Sequence, residues 1–189
     1  MKKGTIAIIA AVAVAVILII SVAGGYNGLV SKQETVENAR SQISTQLQRR
    51  AELIPNFVNT VKGYSDYEQS TYTAVTEART AAQKASTVAQ QQAAGEQLDK
   101  AISVWVNAVT EAYPDLKANS QYTALTDELA GTENRIAVAR KDYNDAAREY
   151  NTSIRKFPKN IIAGIFGFEK ADYFENAAGT ENAPSVSFE

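Results

Sequence analysis

The sequence predicts an all-α protein: a single N-terminal transmembrane helix followed by an elongated antiparallel four-helix bundle. Three observations predict it. An uncharged apolar run, Thr5 to Ala23, is long enough to cross a bilayer. Beyond it, apolar residues recur at separations of three, four and seven along most of the chain. The 189 residues hold only 4 Pro and 10 Gly, while alanine and glutamine are abundant, a composition suited to long helices.

The run TIAIIAAVAVAVILIISVA carries nothing more polar than Thr5 and Ser21. At about 1.5 Å per residue it covers roughly 29 Å, close to the hydrocarbon thickness of a bilayer. A helix suits that environment because it satisfies its own backbone hydrogen bonds within one segment. Lys2 and Lys3 precede the run, and Gly24-Gly25-Tyr26-Asn27 ends it. The competing reading is a cleaved secretory signal, with Lys2-Lys3 as basic region and Ser21-Val22-Ala23 as cleavage site. The run exceeds the roughly 7 to 15 residues of a signal core and flows directly into the next helix, which favours a retained anchor over residues 1–25.

The body is expected over 26–157. Leu29, Val36, Ile43, Leu47, Ile54, Val58 and Val61 place one stripe on a first helix from about Tyr26 to Gly63. Pro55 should kink or split that helix near Ile54, and Gly63 is its expected terminator. Ser65 and Glu68 offer a capping box for a second helix reaching about Gln91, with Tyr72, Val75, Ala78, Ala82, Ala85 and Ala89 inward. A turn at Gln90–Gly95 leads to a third helix, Glu96 to Tyr113, with Leu98, Ile102, Trp105, Val109 and Ala112 on one side, stopped by Pro114. Trp105, held in that stripe, reads as a core anchor rather than a ligand platform. The fourth helix, Ser120 to Arg155, is the most regular: Tyr122, Leu125, Leu129, Thr132, Ile136, Ala139, Tyr143, Ala146, Tyr150 and Ser153 alternate threes and fours. Short connections favour up-down-up-down packing, and two helices of about 37 residues would each be roughly 55 Å long. Residues near Phe157 should then return to the membrane-proximal end.

Residues 158–189 are expected to leave the bundle. Ile161–Phe168 is a short apolar run flanked by Lys156, Lys159 and Lys170. Ile161, Ile162, Ile165, Phe166 and Phe168 are candidate membrane contacts; alternatively the run caps the open end of the bundle core. After Phe174 the composition offers little to fold around.

Composition narrows the chemistry. A net charge of -2 gives no electrostatic footprint for nucleic acid. With no cysteine and no histidine, disulfides, thiolate nucleophiles, di-iron Glu-x-x-His sites and His/Cys metal spacings are impossible. No phosphate-binding glycine loop or nucleophile elbow is present, so no cofactor, metal or small-molecule substrate is indicated and an enzyme is not expected. One polar group stands out. Arg50 lies seven after Ile43 and four before Ile54, a core position, and arginine is rarely buried unpaired. With Tyr26 opposite Phe157, Arg50 falls opposite Glu133. The two are predicted to form a structural ion pair that sets register, with Arg49 or Arg135 nearby.

The residues also carry a family resemblance. Leu47-Gln48-Arg49-Arg50, Leu53-Ile54-Pro55-Asn56-Phe57-Val58 and Val61-Lys62-Gly63-Tyr64 together resemble the signature of the bacterial LemA family. So do Tyr26-Asn27 with Leu29-Val30, the stretch Tyr113–Asn119, Thr132-Glu133-Asn134-Arg135-Ile136-Ala137, and Tyr150-Asn151 with Phe157-Pro158. Gln48 stands where lysine is usual, Phe57 where leucine is, and Tyr67-Glu68 where His-Glu is common. The resemblance implies one membrane span followed by an antiparallel helical bundle, and implies no reaction.

The resulting expectation is a non-enzymatic, membrane-anchored scaffold or adaptor of the bacterial envelope. Protein partners would dock on surfaces such as Asn56, Asn59 and Lys62, and self-association is an option. The alternative is a membrane-remodelling or membrane-sensing protein assembling on the bilayer through Ile161–Phe168. Lys2 and Lys3 before the span, against Lys32 and Arg40 after it, lean the bundle to the extracytoplasmic side of the cell membrane.

Overall fold

A computed structural model describes residues 3–62 and 69–175. Its elements are α1 (Lys3–Lys62), α2 (Gln69–Lys84), α3 (Val88–Ala112), a 3-10 turn (Pro114–Ala118), α4 (Ser120–Arg155) and α5 (Lys159–Phe166). Among the described residues all regular structure is helical.

Helix α1 does not stop at Gly24-Gly25. Apolar run and first body helix are one continuous helix, and Pro55 lies inside it without splitting it. Long and apolar enough to cross a membrane, the N-terminal part exposes its side chains from Ile6 to Val22. Further along, all the stripe residues from Leu29 to Val61 are buried. Gly63, Ser65 and Glu68, and the side chains of Lys62 and Tyr72, lie outside the described residues.

The boundary between α2 and α3 differs from the sequence expectation. The break falls at 85–87, and Gln90–Gly95 is helix interior, with Ala94 and Gly95 buried. The cause is local. Thr87, in extended backbone, accepts the Gln90 N–H at 3.2 Å, while Gln90 Oε1 accepts the N–H of Thr87 at 3.3 Å. That reciprocal capping box starts α3 and leaves the Gln-Ala run, rich in good helix formers, to continue it. Ala89 is therefore exposed on α3 rather than inward on α2, whereas Val75, Ala78 and Ala82 are buried as their spacing predicts. Helix α3 ends at Ala112, two residues before Pro114, and Ala112 is exposed.

The described residues divide into two compact units, one of the residues up to Gln42 with Ala139–Asp172, the other of Ile43–Val138 with those from Tyr173 onward. In the second unit one core takes Ile54, Phe57, Val58 and Val61 from α1 and Val75, Ala78 and Ala82 from α2. Leu98, Ile102, Trp105 and Val109 come from α3, Leu116 from the 3-10 turn, and Tyr122 and Leu129 from α4. The Phe57 ring meets Trp105 edge-on at 4.9 Å and Tyr122 at 5.1 Å, a geometry that adds to simple burial. The Tyr122 hydroxyl, which needs a partner once buried, bonds Thr110 Oγ1 at 2.8 Å.

In the first unit Leu29 of α1 is buried with Ile162 and Ala163 of α5, and Ile154 and Phe168 pack against them. Lys32 Nζ reaches Glu149 Oε2 at 2.9 Å. Residues after α5 do not simply trail away. Asn151, fully buried, donates from Nδ2 to the Ala171 carbonyl at 2.8 Å and accepts the Ala171 N–H at Oδ1 at 2.9 Å. The Tyr143 hydroxyl donates to the Asp172 carbonyl at 2.9 Å. Residues 168–172 thus form a strap along α4. In the second unit Phe174 is buried and the Glu175 N–H donates to Gln92 Oε1. The remaining tail lies outside the described residues.

Candidate functional site

Arg50 is the most deeply placed charge among the described residues of the second unit. Its stripe position turns it into the core, where it is 4 % exposed. Nη2 lies 3.2 Å from Glu133 Oε2 on α4, and Nη1 binds Asp99 Oδ1 on α3, while Nε is buried without a hydrogen-bond partner. Beside it, Glu128 Oε1 takes Arg49 Nη2 at 2.9 Å and Arg135 Nη2 at 2.8 Å. Three guanidiniums face three carboxylates, so each named charge is spent on a partner within the group. The set ties α1, α3 and α4 together through side-chain ion pairs. Glu133 is where the spacing puts it, with Arg49 and Arg135 adjacent.

Asp99 is the member that sequence reasoning missed, although its side chain is more buried than that of Glu133. Its signal was present: it follows Gly95 by four and precedes Ile102 by three. Placing a turn at Gly95 cut that row.

A second polar feature was also hidden by that turn. Gln91 is 3 % exposed, donates from Nε2 to Ser44 Oγ at 2.9 Å, and keeps a buried Oε1 without a partner. It borders an uncharged cleft of about 330 Å³ with Ser44, Gln48, Gln83 and Ala85. Among the described residues no group of three or more His, Cys, Asp or Glu is placed to hold a metal ion.

The remaining sequence candidates separate. Asn56 and Asn59 are exposed on α1, while the side chain of Lys62 lies outside the described residues. On α5, Ile161, Ile165 and Phe166 are exposed and Ile162 is buried against Leu29, while Phe168, just beyond the helix, is half-buried. The candidate lipid-contacting run is therefore two-faced, and Ile162 serves the protein side: its spacing from Leu29 could not be read along the chain. Tyr26 packs on Phe166 at 4.8 Å and on Phe168 at 5.6 Å.

Two phenols near the strap are perturbed. Burial pushes Tyr143 up, with the Arg40 charge opposing, and burial followed by the Glu169 charge pushes Tyr150 up. On the exposed side of α4, the Lys141 hydrogen bond holds Asp145 below its ordinary range.

Comparison with known proteins identifies a family and several relatives. The LemA family matches residues 39–188. Magnetosome protein MamQ 2 of Paramagnetospirillum magneticum is 30% identical over 175 residues, covering 79% of this chain and 64% of the relative. Magnetosome protein MamQ of Magnetospirillum gryphiswaldense is 27% identical over 180 residues, covering 82% and 66%. Protein LemA of Metamycoplasma hominis is 28% identical over 143 residues, covering 74% and 64%. The chain thus spans just under two thirds of the length of these relatives. The family match covers most of the chain, including the Arg50 site and the strap, and the chain belongs to the LemA family.

Proposed function

We propose that the protein is a membrane-anchored helical scaffold of the bacterial envelope, an antiparallel four-helix bundle that presents binding surfaces and performs no catalysis. The observation that carries this reading is the continuity of α1, which runs unbroken from a membrane-length apolar run into the buried stripe Leu29–Val61. Anchor and body share one helix, so whatever the body binds is held at the membrane. The balanced Arg50 group supports a structural role for the charges most deeply placed. Lys2 and Lys3 favour a cytoplasmic N-terminus and an extracytoplasmic body.

Cell fractionation tests the anchor: the full chain should stay with membranes through an alkaline carbonate wash, and a chain lacking residues 1–24 should be released. Photo-crosslinkers at Asn56 and Asn59 test the scaffold, and should capture a reproducible set of neighbours, or a second copy, in intact cells. Release of the full chain by carbonate, or crosslinkers that yield only monomer from these and other exposed positions, would overturn the reading. A second reading, deformation or sensing of the bilayer, is favoured by the apolar surface of α5. Tubulation of liposomes by the full chain, lost on Ile165→Asp, would move the conclusion to it.

A further inference from the structure

We infer that Pro158–Phe168 is a lipid-contacting finger: α5 lies in the headgroup layer beside the exit of the apolar run, with Ile161, Ile165 and Phe166 against acyl chains. The inference rests on the anchor reading above, because the span defines where the bilayer ends. With the run ending at Ala23, a rise of about 1.5 Å per residue puts Gly25 about 3 Å and Leu29 about 9 Å beyond it. The headgroup layer occupies roughly 5 to 8 Å on each side of the hydrocarbon, so Gly25–Leu29 sits within or just above it.

The contacts of α5 are made to that stretch. Lys159 Nζ comes against Gly28, and one turn later Ile162 Cδ1 fills the space where a side chain on Gly25 would stand. Leu29 is buried by Ile162 and Ala163. From Lys159 to Ile162 the chain therefore descends along α1 toward the span. Gly167 then reverses it. Its φ of +72° is left-handed, open to glycine without strain, and the Phe168 N–H closes on the Ala163 carbonyl at 3.0 Å. Phe168 packs back on Tyr26, and Ala171 is tied to Asn151. Helix α5 is the low point of a loop whose two arms are fixed above it.

The distribution of exposed apolar side chains shows what covers that low point. Outside the apolar run, the large hydrophobic residues exposed among the described ones are Tyr26, Phe157, Ile161, Ile165 and Phe166, with Val104 and Val138 elsewhere. Five of these gather at the exit of the span. Ile165 is 71 % and Phe157 81 % exposed, an arrangement that water disfavours and a lipid surface satisfies. Lys156 and Lys159 precede the exposed isoleucines and Lys170 follows them, with Glu169 the neighbouring acid; the basic excess suits a phosphate-bearing surface. The occupant is the bilayer that already holds α1.

The absence of cysteine makes the test direct. Single cysteines at Ile17, Ile165 and Glu37 of the full chain, each carrying an environment-sensitive fluorophore, are reconstituted in phosphatidylcholine vesicles containing brominated lipid. Each variant must keep the far-ultraviolet dichroism of the parent. The finger requires quenching and a blue-shifted emission at Ile17→Cys and Ile165→Cys, and a water-like signal at Glu37→Cys. A water-like Ile165→Cys beside a quenched Ile17→Cys overturns the finger and leaves the anchor standing. A water-like Ile17→Cys removes the anchor, and the finger with it.

Discussion

The Arg50 group makes the sharpest energetic prediction, because its members differ in burial. The Arg50 side chain is 5 % exposed, Asp99 30 % and Glu133 57 %. Removing the carboxylate leaves the least exposed charge stranded. Asp99→Ala forces a buried guanidinium to rely on a half-exposed Glu133 while its Nε already lacks a partner, and should cost about 3 to 5 kcal/mol, the range for breaking a buried pair. Glu133→Gln removes a mostly solvated partner and should cost no more than about 1 kcal/mol. Arg50→Met with Asp99→Leu replaces the pair by apolar volume and should be neutral or stabilising by about 1 to 4 kcal/mol. Urea unfolding of the full chain in detergent, read by the fluorescence of its single tryptophan, measures all three, since Trp105 lies in the core of the same unit. Against a total stability of about 5 kcal/mol, the low end of the usual range, the first change would leave a substantial fraction unfolded at room temperature. If Glu133→Gln costs more than Asp99→Ala, or the double variant falls near Asp99→Ala, the reasoning from burial is wrong.

Other expectations follow from single contacts. Tyr143→Phe loses the hydroxyl that holds the Asp172 carbonyl and should cost about 1 kcal/mol, seen as faster amide exchange in residues 168–172. Burial raises the Tyr143 phenol, so its neutral form contributes stability that is complete below the usual tyrosine range and lost as pH rises through the raised value. Alkaline titration followed by strap proteolysis should show this loss, smaller in Tyr143→Phe but not absent, because Tyr150 is raised as well. Thr87→Ala removes the side-chain half of the α3 capping box and should cost about 0.5 to 2 kcal/mol by thermal melting. Gly25→Leu drives a side chain into Ile162 and should release α5 to proteases, whereas Gly24→Leu, with nothing near its Cβ position, should not.

The sequence disclosed helix α4 to the residue, and the reason is its geometry. Ten positions in alternating threes and fours leave only one face to bury, and Phe157-Pro158 closes the pattern. The α1 stripe was legible for the same reason. The α2–α3 boundary was not, because alanine and glutamine carry so little hydrophobic contrast that a weak stretch of periodicity resembles a turn. The decisive residue was Thr87, whose capping value depends on Gln90 reaching back. Arg50 was visible as a charge in an apolar row, whereas Asp99 depended on the register lost at that boundary. The strap was invisible for a different reason. Asn151 pairs with backbone twenty residues away, and backbone groups carry no sequence identity to read. Nothing in residues 169–173 therefore marked them as a strap on α4.

Gly24-Gly25 shows how a residue type can carry opposite messages at two levels. In a helix interior each glycine costs about 1 kcal/mol against alanine, so a pair after an apolar run reads as a stop. Yet the backbone at the edge of a bilayer has few alternatives to helical hydrogen bonding, and an interruption there would leave amides unsatisfied near hydrocarbon. The helix continues, and the missing side chains become usable space. At Gly25 the space is taken by Ile162; at Gly24 nothing lies within 4 Å. Only Gly25 has a neighbour at its Cβ position, and that neighbour is the terminal methyl of Ile162 on α5. That asymmetry gives Gly25 its role: a methyl there can be met by a turn of the Ile162 side chain, whereas a bulky side chain would press on α5 where it buries Leu29. Gly24→Ala should accordingly leave α5 in place while raising the helicity of the span exit, and a variant in which it instead freed α5 would mean that flexibility at the pair, rather than close approach, is what the glycines supply.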